Sequence, residues 1–275
     1  MTAVPDILLN DGARMPQIGF GVFQMPIDET ERQVASAIGQ GYRAVDTAKF
    51  YGNEEGVGAA VRESDDWIFV TTKLWNGDHG YDTALRAFDA SMTRLGIDKL
   101  DLYLIHWPLP SLDKYVETWR ALVRLQEEGR VGSIGVSNFT VEHLERIIDD
   151  SGVVPVTNQI ELHPHFQQSR LRDFHAERGI ATTSWSPLGR SAALGDEAIA
   201  ALARKHGRTP AQIILRWHVQ LGLIAIPKSS SPERQAENIA LFDFALDADD
   251  MAAIGRLDNS DGRIGPDPEQ LGPPQ

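Results

Sequence analysis

Four ionisable side chains could together do acid–base chemistry: Asp46, Tyr51, Lys73 and His106. A phenol has an unperturbed pKa near 10 and releases its proton reluctantly at neutral pH. An adjacent ammonium, such as that of Lys73, stabilises the phenolate and eases that release. A carboxylate at Asp46 would hold the ammonium in place. An imidazole at His106 could hydrogen-bond a substrate oxygen and polarise it. Such a set suits protonation of an alkoxide as hydride reaches a carbonyl carbon. Each residue alone has a plainer reading. Asp46 could cap a helix, Lys73 could be a solvated strand end, and His106, beside Trp107 and Pro108, could be a satisfied core histidine. Convergence of all four on one rim favours the chemical reading.

The elements that must position them follow from the apolar pattern. Short apolar runs lie at 17–20, 44–46, 67–74, 100–106, 133–137, 156–162, 181–185 and 223–227, and each reads as a strand. Helix-period stretches fall at 30–41, 81–95, 114–128, 141–149, 168–178, 196–206, 210–221 and 232–242. Thr209-Pro210 and Ser231-Pro232 are helix starts, each a capping hydroxyl followed by proline at the first helical position. Ahead of the alternation, residues 7–16 read as a hairpin around Asn10-Asp11-Gly12. Strands alternating with helices imply parallel βα units. The expectation is an α/β chain, a (β/α)8 TIM barrel with an N-terminal β-hairpin, forming one domain over 1–275. An open doubly wound sheet is the rival. In a closed barrel, catalytic groups gather at the C-terminal strand ends. Those ends carry Asp46, Lys73, His106, Ser137 with Asn138, Gln159 with Glu161, Trp185 with Ser186, and Lys228 with Ser229. Tyr51 lies in the loop after the second strand.

The segment after the eighth strand brings hydroxyls, a helix N-terminus and two cations together. Backbone N–H groups at a helix start attract phosphate. Lys228 is a point charge and Arg234 a planar fork suited to phosphate oxygens. In a chain with formal net charge −13, such a local cluster points to an anionic ligand. The same acidity disfavours non-specific binding to nucleic acid or anionic membrane.

Other classes recede. The 275 residues contain no cysteine, which excludes disulfides, thiolate metal sites and a cysteine nucleophile. It also agrees with a reducing, cytoplasmic setting. The N-terminus lacks a basic region followed by an apolar run, so no signal peptide is expected. No apolar run approaches 18 residues, so no membrane span is expected. Gly19-Phe20-Gly21 lacks the third glycine of a dinucleotide fingerprint. His163-Pro164-His165 has the spacing of a metal pair, but nothing completes it, and no metal is expected.

Across nearly the whole chain, ordered stretches resemble the aldo-keto reductase family. They are Gly41-Tyr42-Arg43-Ala44-Val45-Asp46-Thr47-Ala48 with Tyr51-Gly52-Asn53-Glu54; Thr72-Lys73-Leu74-Trp75; 101–108 around His106; Gly135-Val136-Ser137-Asn138-Phe139; Asn158-Gln159-Ile160-Glu161; Ser186-Pro187-Leu188-Gly189; and Ile226-Pro227-Lys228-Ser229. The chain looks most like the bacterial branch that includes 2,5-diketogluconate reductases. The resemblance implies an NADPH-dependent carbonyl reductase. Tyr51 would be the general acid, Lys73 would lower its pKa, Asp46 would pair with Lys73, and His106 would orient the carbonyl.

The same resemblance places the cofactor. Ser137, Asn138 and Gln159 would hold the nicotinamide carboxamide, with Trp185 stacked on its ring. Ser186, Leu188 and Gly189 would line the pyrophosphate path, and Ile226 falls in the matching stretch at the end of the eighth strand. Lys228, Ser229, Ser231 and Arg234 would bind the adenosine 2′-phosphate, with Gln235, Glu237 and Asn238 near the adenine. Trp185 stands where many relatives carry tyrosine, a change that preserves stacking. The chain is short after 190, which implies an open substrate pocket walled by Phe23, Phe50, Trp75 and Trp107. Expected substrates are aldehydes, ketones and α-dicarbonyls. The alternatives are a keto-sugar acid or a non-catalytic NADPH-binding role. The family resemblance implies a monomer. Short-chain dehydrogenases also pair tyrosine with lysine, but no tyrosine here has lysine four residues on.

Overall fold

The computed structural model describes residues 4–272. The chain opens with an antiparallel hairpin, β1 (Asp6–Leu8) and β2 (Arg14–Pro16), with Ile7 opposite Met15. Its turn needs Gly12, which sits at φ 89°. The Asp11 carboxylate accepts from Ala13 N at 3.0 Å and from Ser133 Oγ at 2.7 Å, fastening the hairpin beneath the strands.

Eight parallel strands follow, each leading into helix. They run β3 (Phe20–Gly21), α1 (Ile27–Gly39), β4 (Ala44–Asp46), α2 (Glu54–Arg62), β5 (Phe69–Leu74), α3 (Tyr81–Leu95), β6 (Leu100–Ile105) and α4 (Tyr115–Glu127). The second half runs β7 (Val131–Ser137), α5 (Val141–Ser151), β8 (Thr157–Glu161), α6 (Ser169–Arg178), β9 (Ala181–Trp185), α7 (Glu197–His206), α8 (Pro210–Gln220), β10 (Ile224–Ala225), α9 (Pro232–Ile239) and α10 (Ala248–Gly255). Each strand from β3 to β10 pairs with the next in sequence. A doubly wound sheet would reverse direction somewhere in that order. Closure is explicit: Ile18 bridges Ala225 in parallel, Gly19 N donates to Ala225 O at 2.9 Å, and Ala225 N donates to Gln17 O at 3.0 Å. The architecture is a (β/α)8 barrel with an N-terminal hairpin. None of the described helices is long and apolar enough to cross a membrane.

Strand alternation sorts side chains into two shells. Val45, Val70, Tyr103, Ile105, Ile134 and Val136 point outward into the layer beneath the helices. Ala44, Phe69, Leu102, Leu104 and Ile224 point inward and close the floor together with Leu9 and Met15 of the hairpin. Above that floor the interior becomes polar, as where Thr157 Oγ1 and Thr183 Oγ1 meet at 2.8 Å. Continuing the inward row by twos reaches Asp46, Lys73, His106, Ser137, Gln159 and Trp185 at the upper rim.

Two helices lie outside the expected pattern. Helix α2 carries Gly56 and Gly58, which weaken the local helix signal. A Cβ at Gly58 would fall 1.8 Å from Leu95 O, so glycine is what lets α2 lie against the end of α3. Helix α10 starts with a reciprocal capping box between Asp247 and Asp250. The first strand is also shorter than its apolar run: regular pairing covers Phe20–Gly21, and Ile18 contributes only the closing bridge.

Candidate active site

Asp46 ends β4, and a single 3-10 turn over Lys49–Tyr51 brings the Tyr51 phenol back over the rim. Gly52 closes that turn at φ 69°. Asn53 locks the loop beneath it, accepting from Thr47 Oγ1 at 2.7 Å and donating to Val22 O at 3.0 Å. Glu54, first in α2, takes hydrogen bonds from Thr72 Oγ1 and Arg94 Nε, both at 2.6 Å. These ties, the first buried and the second half-buried, hold the loop to β5 and α3. Lys49 forms an ion pair with Asp78, and the Phe50 ring stacks on Trp75 at 3.9 Å between centroids, so the loops after β4 and β5 are joined at two points.

The four candidate catalytic residues meet. Lys73 is fully buried, and its Nζ lies 2.5 Å from Asp46 Oδ1, 2.9 Å from Thr47 O and 3.4 Å from Tyr51 OH. The His106 ring lies edge-on to Tyr51, with centroids 5.8 Å apart. Burial opposes the Lys73 charge, but Asp46 and then Tyr51 outweigh it and raise its pKa. Burial pushes the Tyr51 pKa up, and Lys73 pulls it part of the way back. The sequence expectation that Lys73 lowers this pKa is therefore refined. The ammonium lowers it relative to an equally buried phenol, not below the ordinary value. His106 titrates well below its usual range, through burial and then the nearby Lys73 charge, so it is a neutral imidazole at neutral pH. Its Nδ1 is buried with no hydrogen-bond partner.

Around this core lie the residues expected to meet a dinucleotide. Gln159 Nε2 crosses the mouth to Asp46 Oδ2 at 2.7 Å. Ser137 Oγ donates to Gln159 O at 2.8 Å. Asn138, in the left-handed region at φ 64°, donates to His106 O at 3.0 Å and accepts from Trp185 Nε1 at 2.8 Å. Ser186 and Gly189 also take positive φ, at 49° and 58°, as the chain turns sharply out of β9. Leu188 leads from that turn into a cleft of about 800 Å³, shared with Lys228, Ser229, Ser231, Arg234, Glu237 and Asn238. Ile226 is buried behind it, its carbonyl 2.9 Å from where a Cβ of Gly21 would stand.

Ser231 caps α9 through Arg234 N at 3.4 Å. Lys228 Nζ reaches Gln24 O at 3.4 Å, and among the described residues neither Lys228 nor Arg234 has a carboxylate partner. The cleft therefore presents two cations outside any ion pair beside a helix start, with the Glu237 carboxylate also on its wall, and the cations with the helix start fit a phosphate.

One residue departs from expectation. Gln235 is fully buried and turned away from the cleft. Its Nε2 donates to Gln33 Oε1 and Ser229 O, both at 3.1 Å, and its Oε1 accepts from Ser36 at 2.7 Å. It braces α9 against α1 instead of facing a ligand, because the helical period turns it inward from Arg234.

At the rim, Phe23 lies 5.0 Å from Tyr51 and Trp75 lies 5.3 Å from His106 between ring centroids. Phe23 and Phe50 are exposed, whereas Trp107 is buried. Ile27, not singled out from sequence, belongs to the same apolar margin: a Cβ at Gly52 would sit 3.7 Å from its Cδ1. The cleft also uses Ser191, Leu194, Thr209, Pro210 and Ala211. Of these, sequence marked only Thr209-Pro210, and only as a helix start. Among the described residues no group of three or more His, Cys, Asp or Glu side chains could hold a metal ion.

The model of the aldo/keto reductase family matches residues 17–259. The chain belongs to the aldo/keto reductase family. It is 54% identical over 267 residues to an aldo-keto reductase of Mycolicibacterium smegmatis, covering 96% of this chain and 97% of the relative. It is 48% identical over 271 residues to the methylglyoxal reductase DkgA of Escherichia coli, covering 97% and 98%. Among solved structures, a Gox0644 variant in complex with NADPH superposes with a TM-score of 0.96 at 57% identity, covering 98% and 99%. As a member of this family the chain is an NADP-dependent oxidoreductase.

Proposed function

We propose that this aldo-keto reductase uses NADPH to reduce aldehydes, ketones and α-dicarbonyls to alcohols, with Tyr51 as the proton donor. One observation carries the reading: the Tyr51 hydroxyl lies 3.4 Å from a buried Lys73 ammonium that Asp46 holds at 2.5 Å. The raised pKa keeps Tyr51 protonated at neutral pH, as a general acid requires. When the proton leaves, Lys73 stabilises the phenolate, and Asp46 keeps Lys73 charged. Neutral His106 offers an N–H to the substrate oxygen, which fixes the carbonyl between it and Tyr51.

The dinucleotide reading assigns the carboxamide to Ser137, Asn138 and Gln159, and the stacking face to Trp185. The pyrophosphate would follow Ser186, Leu188 and Gly189. Lys228, Ser229, Ser231 and Arg234 would take the 2′-phosphate, with Glu237 and Asn238 toward the adenine. Bound there, the nicotinamide supplies the hydride. The cations of the cleft, which form no ion pair among the described residues, favour the phosphorylated dinucleotide. The apolar rim of Phe23, Ile27, Phe50 and Trp75 favours small carbonyl compounds over keto-sugar acids, since the nearby Lys49 is already neutralised by Asp78. The DkgA relatives, named methylglyoxal reductases, support an α-dicarbonyl among the substrates. The reading takes the chain as one barrel unit acting as a monomer in the cytoplasm, a setting its cysteine-free composition suits.

The test is NADPH consumption with methylglyoxal, phenylglyoxal, a nitrobenzaldehyde and a keto-sugar acid, ranked by kcat/KM. Tight NADPH binding without turnover of any carbonyl would overturn the enzyme reading. Tyr51→Phe should lower kcat by about 10²–10⁴ while NADPH affinity stays near wild type. A matching loss of cofactor binding would contradict the role given to Tyr51.

A further inference from the structure

Glu161 ends β8 at the rim, yet the acid–base set does not use it. It is 1% exposed, and its carboxylate is fully engaged. Oε1 meets His163 Nε2 at 3.1 Å and accepts from Ile264 N at 2.6 Å, while Oε2 accepts from Gly265 N at 2.8 Å. Two of those donors belong to a segment about a hundred residues further along the chain. Residues 258–265 run along the 163–167 loop as a strap. Gln167 N donates to Asp258 Oδ1 at 2.8 Å, Asn259 N donates to His165 O at 3.2 Å, and the Arg263 guanidinium lies 4.7 Å over the Phe166 ring. Glu161 ties the end of this strap that reaches the mouth.

That end rests on Trp185. A Cβ at Gly265 would stand 2.4 Å from Trp185 Cη2 and 2.8 Å from Glu161 Oε2, so only glycine lets the strap backbone approach both. The indole is thus held at two places. Asn138 Oδ1 takes its N–H at 2.8 Å, and the strap backs its six-membered ring.

We propose that Glu161 is a positioning residue for cofactor binding: it clasps the strap at Ile264 and Gly265 and so sets the tilt of the Trp185 ring. The proposal rests on the reading that Trp185 stacks on the nicotinamide. Stacking depends on ring offset and angle, so a ring free to rock gives a weaker platform. A buried carboxylate is a strong clasp because hydrogen bonds to a charged acceptor exceed neutral ones. Burial works against the Glu161 charge, yet the His163 contact and the two strap amides hold its pKa below the ordinary value.

The test compares Glu161→Gln, Gly265→Ala and Trp185→Ala with wild type. Hydrogen exchange is read in the NADPH-free protein, and NADPH affinity by equilibrium titration. With Glu161→Gln, the amides of Ile264 and Gly265 should exchange about tenfold faster or more, while strands β4 to β7 keep their protection. Both Glu161→Gln and Gly265→Ala should weaken NADPH several-fold, with KM for NADPH rising more than kcat falls. Unchanged exchange at Ile264 and Gly265 would show that Glu161 does not hold the strap. An affinity sensitive to Trp185→Ala but not to the other two variants overturns the positioning alone. An affinity insensitive to Trp185→Ala overturns the stacking reading and the positioning with it. Should Glu161→Gln fail to fold, Gly265→Ala, outside the barrel wall, carries the affinity test.

Discussion

At the residue scale, the balance of charge and burial at Tyr51 organises the site. An isolated phenol at this depth would hold its proton too tightly to give it up, and burial alone pushes it that way. Lys73 offsets part of that cost, and it stays charged inside the protein because Asp46 and Thr47 O occupy its donors. Gln159 adds a donor to the second Asp46 oxygen, so that carboxylate is not left partly satisfied. At the proposed phosphate end a different rule applies, since among the described residues neither Lys228 nor Arg234 has a carboxylate partner. Arg234→Ala should therefore weaken NADPH by about 10–100-fold, the worth of a charged hydrogen-bond pair. NADH, which lacks the 2′-phosphate, should lose far less. Comparing the two dissociation constants checks this, and equal weakening would remove Arg234 from 2′-phosphate recognition.

At the element scale, strands set the positions of Lys73, Asp46 and Gln159, but helix α2 sets the loop that delivers Tyr51. Its first residue, Glu54, is anchored to Thr72 and Arg94, and its middle presses against the end of α3 at Gly58. Gly58→Ala would drive a methyl group into Leu95 O. Overpacking of this kind costs about 1–3 kcal/mol, so a clear fall in Tm is expected. Because the pressed helix carries the Tyr51 loop, kcat should fall along with it, and α2 should lose hydrogen-exchange protection before the barrel strands. A variant as stable as wild type would mean that α2 can slide without loss.

At the scale of the whole molecule, the barrel buries several histidines in neutral form. His175 is pushed down to about 3, chiefly by burial, and His79 and His218 to about 4 by the same cause. In the unfolded chain these groups titrate near 6.5. Below that value the unfolded state binds protons that the folded state refuses. The histidine contribution is therefore fully present above about pH 6.5 and is lost as pH falls toward 4. Urea midpoints measured from pH 7 to pH 4 should decline steadily. His218→Gln should flatten the decline, and an unchanged slope would remove His218 from the account.

Much was legible in the chain itself. Strand alternation and helix periodicity depend on near neighbours, so eight strands, most helices and the hairpin follow from local pattern. The ordered polar residues at strand ends located Asp46, Lys73, His106, Ser137, Gln159 and Trp185, because a parallel barrel gathers such ends on one face. Local pattern missed α2, whose glycines lower helix propensity for the sake of long-range contacts, Gly58 with Leu95 and Gly56 with Thr30 and Glu31. It placed Gln235 near a ligand, although the turn of α9 buries that side chain against α1. It could not show that the sheet closes through Ile18 and Ala225, nor that Glu161 meets Ile264 and Gly265 across about a hundred residues. Residue types and their order along the chain determined the fold class and which polar side chains stand at the rim. Only tertiary structure decided the net shift of Tyr51 and the clasp at Glu161, because burial and long-range contact exist only once the barrel has closed.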